Sequence, residues 1–266
     1  MTIDQTYTLG NSPVASVDEA IERINALHSW LASDDGMSPF NTMYLTVIKA
    51  IHEATATAGY FTNSAFLDRL DVNFVNRYFD TYIRSATGIP LPRCWDVVWE
   101  LRHSTDQVPL QFALAAMNAH INHDLVLALV ETFIAFDADP NDPSLIADFN
   151  RVNTLLGALE PDMRRSYEHG LLLRLDDSLG TSEDRLDCWS IAAARETAWH
   201  DAEALWRLRN HHILRARCEA ALDHAVALVG KCLLIPLARR AHHETSTCCR
   251  HSPVLAGSLL AEGLPA

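Results

Sequence analysis

From Val17 onward, apolar side chains recur every three or four positions, in blocks broken by glycine, proline and asparagine. That spacing is the signature of amphipathic helices. The first block is VDEAIERINALHSWLAS. SPFNTMYLTVIKAIHEATATAGYF follows, with Ser38 and Pro39 as its start. NSAFLDRLDVNFVNRYFDTYIRSATG opens at Asn63 or Ser64 and ends at Gly88, a residue free to adopt the left-handed cap. PRCWDVVWELRH predicts a short helix, and a strongly apolar one runs from about Val108 to Phe136. Asp142 before Pro143 is a helix start. Two helices are expected after it, over 143–159 and 161–177. A long one over 184–209 meets His211 and His212 at a junction, and a last one reaches about residue 234. No alternating strand pattern exceeds a few residues. The expectation is an all-α, bundle-like single domain of about nine helices over residues 15–236, with a buried central helix near 108–136. Residues 1–14 are expected to form a flexible arm and 237–266 a loosely ordered tail.

Composition adds exclusions. Nearly half the chain is hydrophobic, enough for a substantial core in 266 residues. The net charge of −13 argues against binding nucleic acid or an anionic membrane, both of which ask for a basic face. The bias of arginine over lysine, with only Lys49 and Lys231, points to a GC-rich bacterial source. The opening MTIDQTYTLGNSPVAS lacks the basic start and apolar core of a secretory signal. Reduced cysteines and a cytoplasmic location are therefore expected. The central helix comes nearest to a membrane span, but would put His and Asp at mid-bilayer, which is costly.

The chemistry concentrates in that helix. ALAAMNAHINHDLVLALV packs Asn118, His120, Asn122, His123 and Asp124 into seven residues of an otherwise apolar stretch. On a helical wheel His120, His123 and Asp124 share an arc of about 100°, beside the small Ala113 and Ala116. Asn118 and Asn122 form a second row with Gln111 on another side. A buried polar group left unpaired costs about 1–3 kcal/mol, so both rows require partners. Three readings of His120 and Asp124 stand: a structural pair, two ligands of a single divalent metal, or a metal-free acid/base site in which Asp124 orients His120.

Other helices offer ionisable partners on apolar faces. Asp148 lies among Leu145, Phe149, Val152 and Leu156; Arg195 shares a face with Ile191, Trp199 and Trp206; Asp71 sits among Leu67, Leu70, Phe74 and Tyr78. An inward arginine demands a carboxylate or an anionic ligand, so Arg195 is expected within hydrogen-bonding reach of Asp148 or Asp124. Trp199 is the tryptophan expected to line a pocket. The tail AHHETSTCCRH holds His242, His243, Cys248, Cys249 and His251, at spacings that match no regular zinc module. No phosphate loop, dinucleotide fingerprint or nucleophile elbow occurs, so no nucleotide cofactor is expected.

The segments MNAHINHDL, FLDRLDVNFVNRYF, DFNRVNTLL and ARETAWHDAEALW resemble the signature of an uncharacterised family of helical proteins from bacteria and fungi. The resemblance covers roughly residues 40–210. It implies that His120, Asn122, Asp124, Asp148 and Arg195 stand in family motif segments, and it implies no reaction. A more distant likeness, by analogy alone, is to the zinc-dependent phospholipase C and P1 nuclease group, which carries H-x-x-x-D on a buried helix. This chain lacks that group's H-x-x-x-E and a suitably spaced downstream histidine, so a trinuclear centre is not carried over.

The function expected from these residues is an enzyme acting on a small, largely apolar molecule within the bundle, by hydrolysis, cyclisation, elimination or isomerisation. His120 would be the general acid/base, Asp124 its orienting group, Asp148 and Arg195 the charge-balancing pair. Asn118, Asn122, His123, Trp199 and Asp71 would contact substrate. Two alternatives remain at this stage: a metal-dependent hydrolase or oxygenase liganded by His120 and Asp124, and a non-catalytic binding or interaction protein with a structural polar core. A homodimer is compatible with either.

Overall fold

A computed structural model describes residues 12–172 and 190–236, the side chains of residues 160–172 excepted. Eight helices make up the described residues, and no strand occurs among them. They are α1 (Val17–Trp30), α2 (Ser38–Thr55), α3 (Ser64–Thr87), α4 (Arg93–Leu101), α5 (Pro109–Ala135), α6 (Pro143–Leu172), α7 (Ile191–Arg207) and α8 (His212–Leu233). The chain is all-α with a buried apolar central helix, α5, against which α2, α3, α4, α6, α7 and α8 pack. By length and composition α5 could cross a membrane, but 94% of its apolar window is buried inside the protein. Its apolar surface already has protein to face, as in the core helix of a bundle.

Local chemistry sets the helix ends. The Ser16 side chain accepts from the Glu19 N–H at the start of α1, and Ser190 accepts from Ala193 N–H at the start of α7. Gly88 closes α3 at φ 72°, a conformation that costs a residue with a Cβ. The Asp142 carboxylate accepts from the Ser144 backbone at 2.8 Å as α6 begins. The junction expected at His211 and His212 falls between α7 and α8.

Some boundaries differ from expectation. The backbone of α6 stays helical through position 161, so the two helices expected over 143–159 and 161–177 are one as far as Leu172. Helix α2 ends at Thr55, short of the expected GYF, and the chain turns at Gly59 with φ 77°. Val14, placed in the flexible arm by sequence, is buried and held both ways by Asn76: its N–H donates to Asn76 Oδ1 at 2.8 Å and its carbonyl accepts from Nδ2 at 3.1 Å. Residues 1–11 of the arm, the expected tail with its His and Cys residues, and the expected start of the 184–209 helix lie outside the described residues.

Candidate functional site

The middle of α5 is not α-helical. His120–Leu125 forms a π turn, with α-helix on both sides. Such single π turns widen the backbone and recur at functional sites. Here the turn carries both histidines of the helix and its one buried carboxylate, Asp124.

Asp124 is the centre of the arrangement. Its Oδ2 accepts from the Trp95 indole Nε1 at 2.8 Å and pairs with His120 Nδ1 at 3.1 Å. Its Oδ1 pairs with His123 Nδ1 at 2.8 Å. Burial works to raise the carboxyl pKa, but the hydrogen bonds from His120 and His123 outweigh it and hold Asp124 well below the usual carboxylate range. An ionised carboxylate only accepts, so each imidazole presents Nδ1–H to it. In a neutral ring so oriented, Nε2 is left as a lone-pair acceptor.

The two histidines face different ways. His120 stacks on Phe74 with ring centroids 3.7 Å apart and planes 8° from parallel. Tyr44 and Phe40 meet its edge at 4.7 and 5.5 Å. Its Nε2 is buried and has no hydrogen-bond partner. Burial pulls its pKa below the ordinary histidine value, with Asp124 acting in opposition, so the ring is neutral near pH 7. His123 lies on the other flank of Asp124, near Cys94 of α4 and Asp223 of α8.

His120 forms part of the wall of a cavity between α2, α3, α5, α6 and α7. The cavity offers about 60 Å³ to the centres of water-sized molecules; one water occupies about 10–15 Å³ on that measure. Ile48, Leu70, Phe74 and Leu156 are among its apolar lining, and its polar groups include His120, Asp71, Arg195 and Tyr44. Burial pushes Asp71 up to about 7, the nearby Arg195 guanidinium restraining the rise and Asp68 adding to it. Its Oδ2 is buried without a partner. Burial brings Arg195 down to about 10, opposed by Asp71, so it stays a cation at neutral pH. Arg195 Nε donates to Asn153 Oδ1 at 2.7 Å, and its guanidinium carbon lies 4.2 Å from the Phe149 ring centroid.

Asp148, Asn118, Asn122 and Trp199 are absent from the cavity lining. Arg195 forms no ion pair or hydrogen bond with Asp148 or Asp124, which corrects that expectation. Asp148 is committed to the chain entering α3: it accepts from Thr62 N–H, Asn63 N–H, Asn63 Nδ2 and Arg151 Nη1 at 2.7–3.1 Å. The Asn row is a tie to α8. Asn118 Nδ2 donates to the Val226 carbonyl at 2.9 Å, Asn122 Nδ2 donates to Asn118 Oδ1 at 3.0 Å, and Gln111 Nε2 donates to the Leu233 carbonyl at 2.7 Å. Trp199 does not line the cavity; it packs on Phe133 and Phe149 at 5.1 and 4.7 Å. His120 and Asp124, expected as joint metal ligands, lie with Nδ1 and Oδ2 3.1 Å apart.

Sequence reasoning passed over Trp95, Cys94 and Asp223. A buried indole N–H needs an acceptor, so Trp95 carried a usable signal. Nothing local ties Asp223 to a residue some hundred positions earlier.

The fold and the site together define an all-α protein whose π-kinked central helix carries a buried His–Asp–His unit. The chain matches DUF5995, a family of unknown function, over residues 17–236, and belongs to it. Neither a curated protein nor a solved structure matches the chain.

Proposed function

We propose that the protein is an enzyme that binds a small, largely apolar molecule in the cavity between α2, α3, α5, α6 and α7 and moves a proton on it with His120. The reading rests on one observation above the others: His120 Nε2 is buried and unpartnered, on a residue that lines that cavity. An orphaned buried acceptor costs free energy that a purely structural histidine would avoid by turning to a partner. Asp124 fixes the tautomer from the far side of the ring, so Nε2 is the basic atom. The Phe74 stack and the Tyr44 and Phe40 edges fix the ring plane.

Asp71, with a pKa of about 7, is a second proton carrier in the same cavity. Arg195 supplies a fixed positive charge for an oxygen that gains electron density as the proton leaves. The apolar lining selects the substrate body, and the few polar groups select its one oxygen function.

Fragment screening by ligand-observed NMR tests this reading, using small apolar compounds with a single hydroxyl or carbonyl. Bound compounds should perturb His120, Asp71 and Arg195 and be displaced when Leu70→Trp fills the cavity. Binders that ignore these residues, or that persist in the filled variant, would overturn it.

A further inference from the structure

We propose that Cys94, His123 and Asp223 form a binding site for a divalent cation of borderline softness, of the Zn2+ class, on the flank of Asp124 opposite the cavity. These three side chains bring one ligand atom each to within 4.8 Å of one another, from α4, the π turn of α5 and α8. The donor set is a thiolate, an imidazole and a carboxylate, the mixture that zinc accepts in sites with three protein ligands and one open position. Tetrahedral ligand edges around zinc are about 3.3–3.7 Å, given bond lengths of about 2.0–2.3 Å. Side-chain rotations that draw the atoms together by about 1 Å complete the shell.

The second shell is already in place. A metal-bound histidine donates its other ring N–H to a carboxylate in most such sites. His123 Nδ1 does so to Asp124 Oδ1 at 2.8 Å, which leaves Nε2 for the cation. Asp223 is fixed as well: Oδ1 accepts from Cys94 N–H and Oδ2 from Arg93 N–H, both at 3.0 Å. The same carboxylate therefore caps α4 and holds Cys94 beside it. Cys94 and His123 are buried while Asp223 is partly exposed, so the cation reaches the site from the Asp223 side. On binding, Cys94 gives up its thiol proton to solvent and coordinates as thiolate. Because Asp124 bridges His123 and His120, a cation here also bears on the imidazole that faces the cavity.

Titration of the full chain with Co2+ as a spectroscopic substitute, followed by competition with Zn2+, tests the site. One equivalent should bind, with tetrahedral visible bands and a near-ultraviolet thiolate-to-cobalt band. Cys94→Ser should abolish the thiolate band, and His123→Ala should weaken affinity by more than the roughly 10–100-fold expected for Asp124→Asn in the second shell. Should His123→Ala fail to fold, Asp223→Asn serves: its amide oxygen keeps one of the two backbone caps on α4 while the anionic ligand is gone, and affinity should fall. No stoichiometric binding to the folded wild type would overturn the proposal. So would cobalt spectra unchanged by Cys94→Ser, or binding lost in His120→Ala but kept in Cys94→Ser.

Discussion

Asp124 and its three donors decide what each neighbouring ring can do. The carboxylate is buried, yet it stays ionised because Trp95, His120 and His123 all point hydrogens at it. Replacing it with alanine strands three buried donors, each at about 1–3 kcal/mol. Asp124→Ala should therefore cost several kcal/mol in chemical denaturation, whereas His120→Phe, which keeps the stack on Phe74, should cost far less and abolish any reaction in the cavity. Asp71 gives a pH signature. Its folded pKa of about 7 lies above the unfolded value of 3.8, so the folded state holds the extra proton between these values. Its contribution to stability is thus greatest below about pH 4 and is lost as pH rises to 7. Melts of wild type and Asp71→Asn at pH 4.5 and 7.5 check this: the variant should gain on wild type at the higher pH, and most of that gain should vanish at the lower one. His120 works in the opposite sense. Its depressed pKa means stability is full above about 6.5 and falls as the pH drops below it.

Helix α5 shows what periodicity could and could not reveal. The two polar rows were visible at 100° per residue, and so was the pairing of His120 with Asp124 four positions on. The π turn was not, because it follows from the packing around His120–Leu125 and leaves no mark in the pattern of apolar residues. It matters for the site: the wheel put His120 and His123 on one face, while the structure sets them on opposite flanks of Asp124. The Asn118 row binds α5 to α8. Asn118→Ala should lower stability by about 1 kcal/mol and leave the cavity untouched. Asp148 was legible as an inward carboxylate, but its partners beyond Arg151 were not, since they are groups of Thr62 and Asn63, 85 and 86 residues earlier. Asp148→Ala should destabilise α3 by about 2 kcal/mol or more, read as faster hydrogen exchange in its first turns, with no loss of ligand binding.

At the scale of the molecule, the all-α bundle and its buried centre could be read from helical spacing and cap residues alone. The cavity could not, because it is a property of where five helices fail to meet. Asp71, Arg195 and His120 come from three helices, and their convergence depends on crossing angles that no local segment encodes. The arginine expected against Asp148 or Asp124 found Asn153 and the Phe149 ring. That leaves the cavity with a cation, a carboxyl titrating near neutrality and a free imidazole nitrogen, set in an apolar wall.

The account stands or falls on that nitrogen. Long-range proton–nitrogen correlation NMR of the His120 ring, assigned through His120→Phe, reads its tautomer and its response to ligand directly. At pH 7 the ring should be neutral with its proton on Nδ1, and Nε2 should shift when a small apolar alcohol or ketone enters the cavity. A proton on Nε2, an imidazolium at pH 7, or an Nε2 signal indifferent to a cavity-bound ligand would contradict the claim that His120 is the working base.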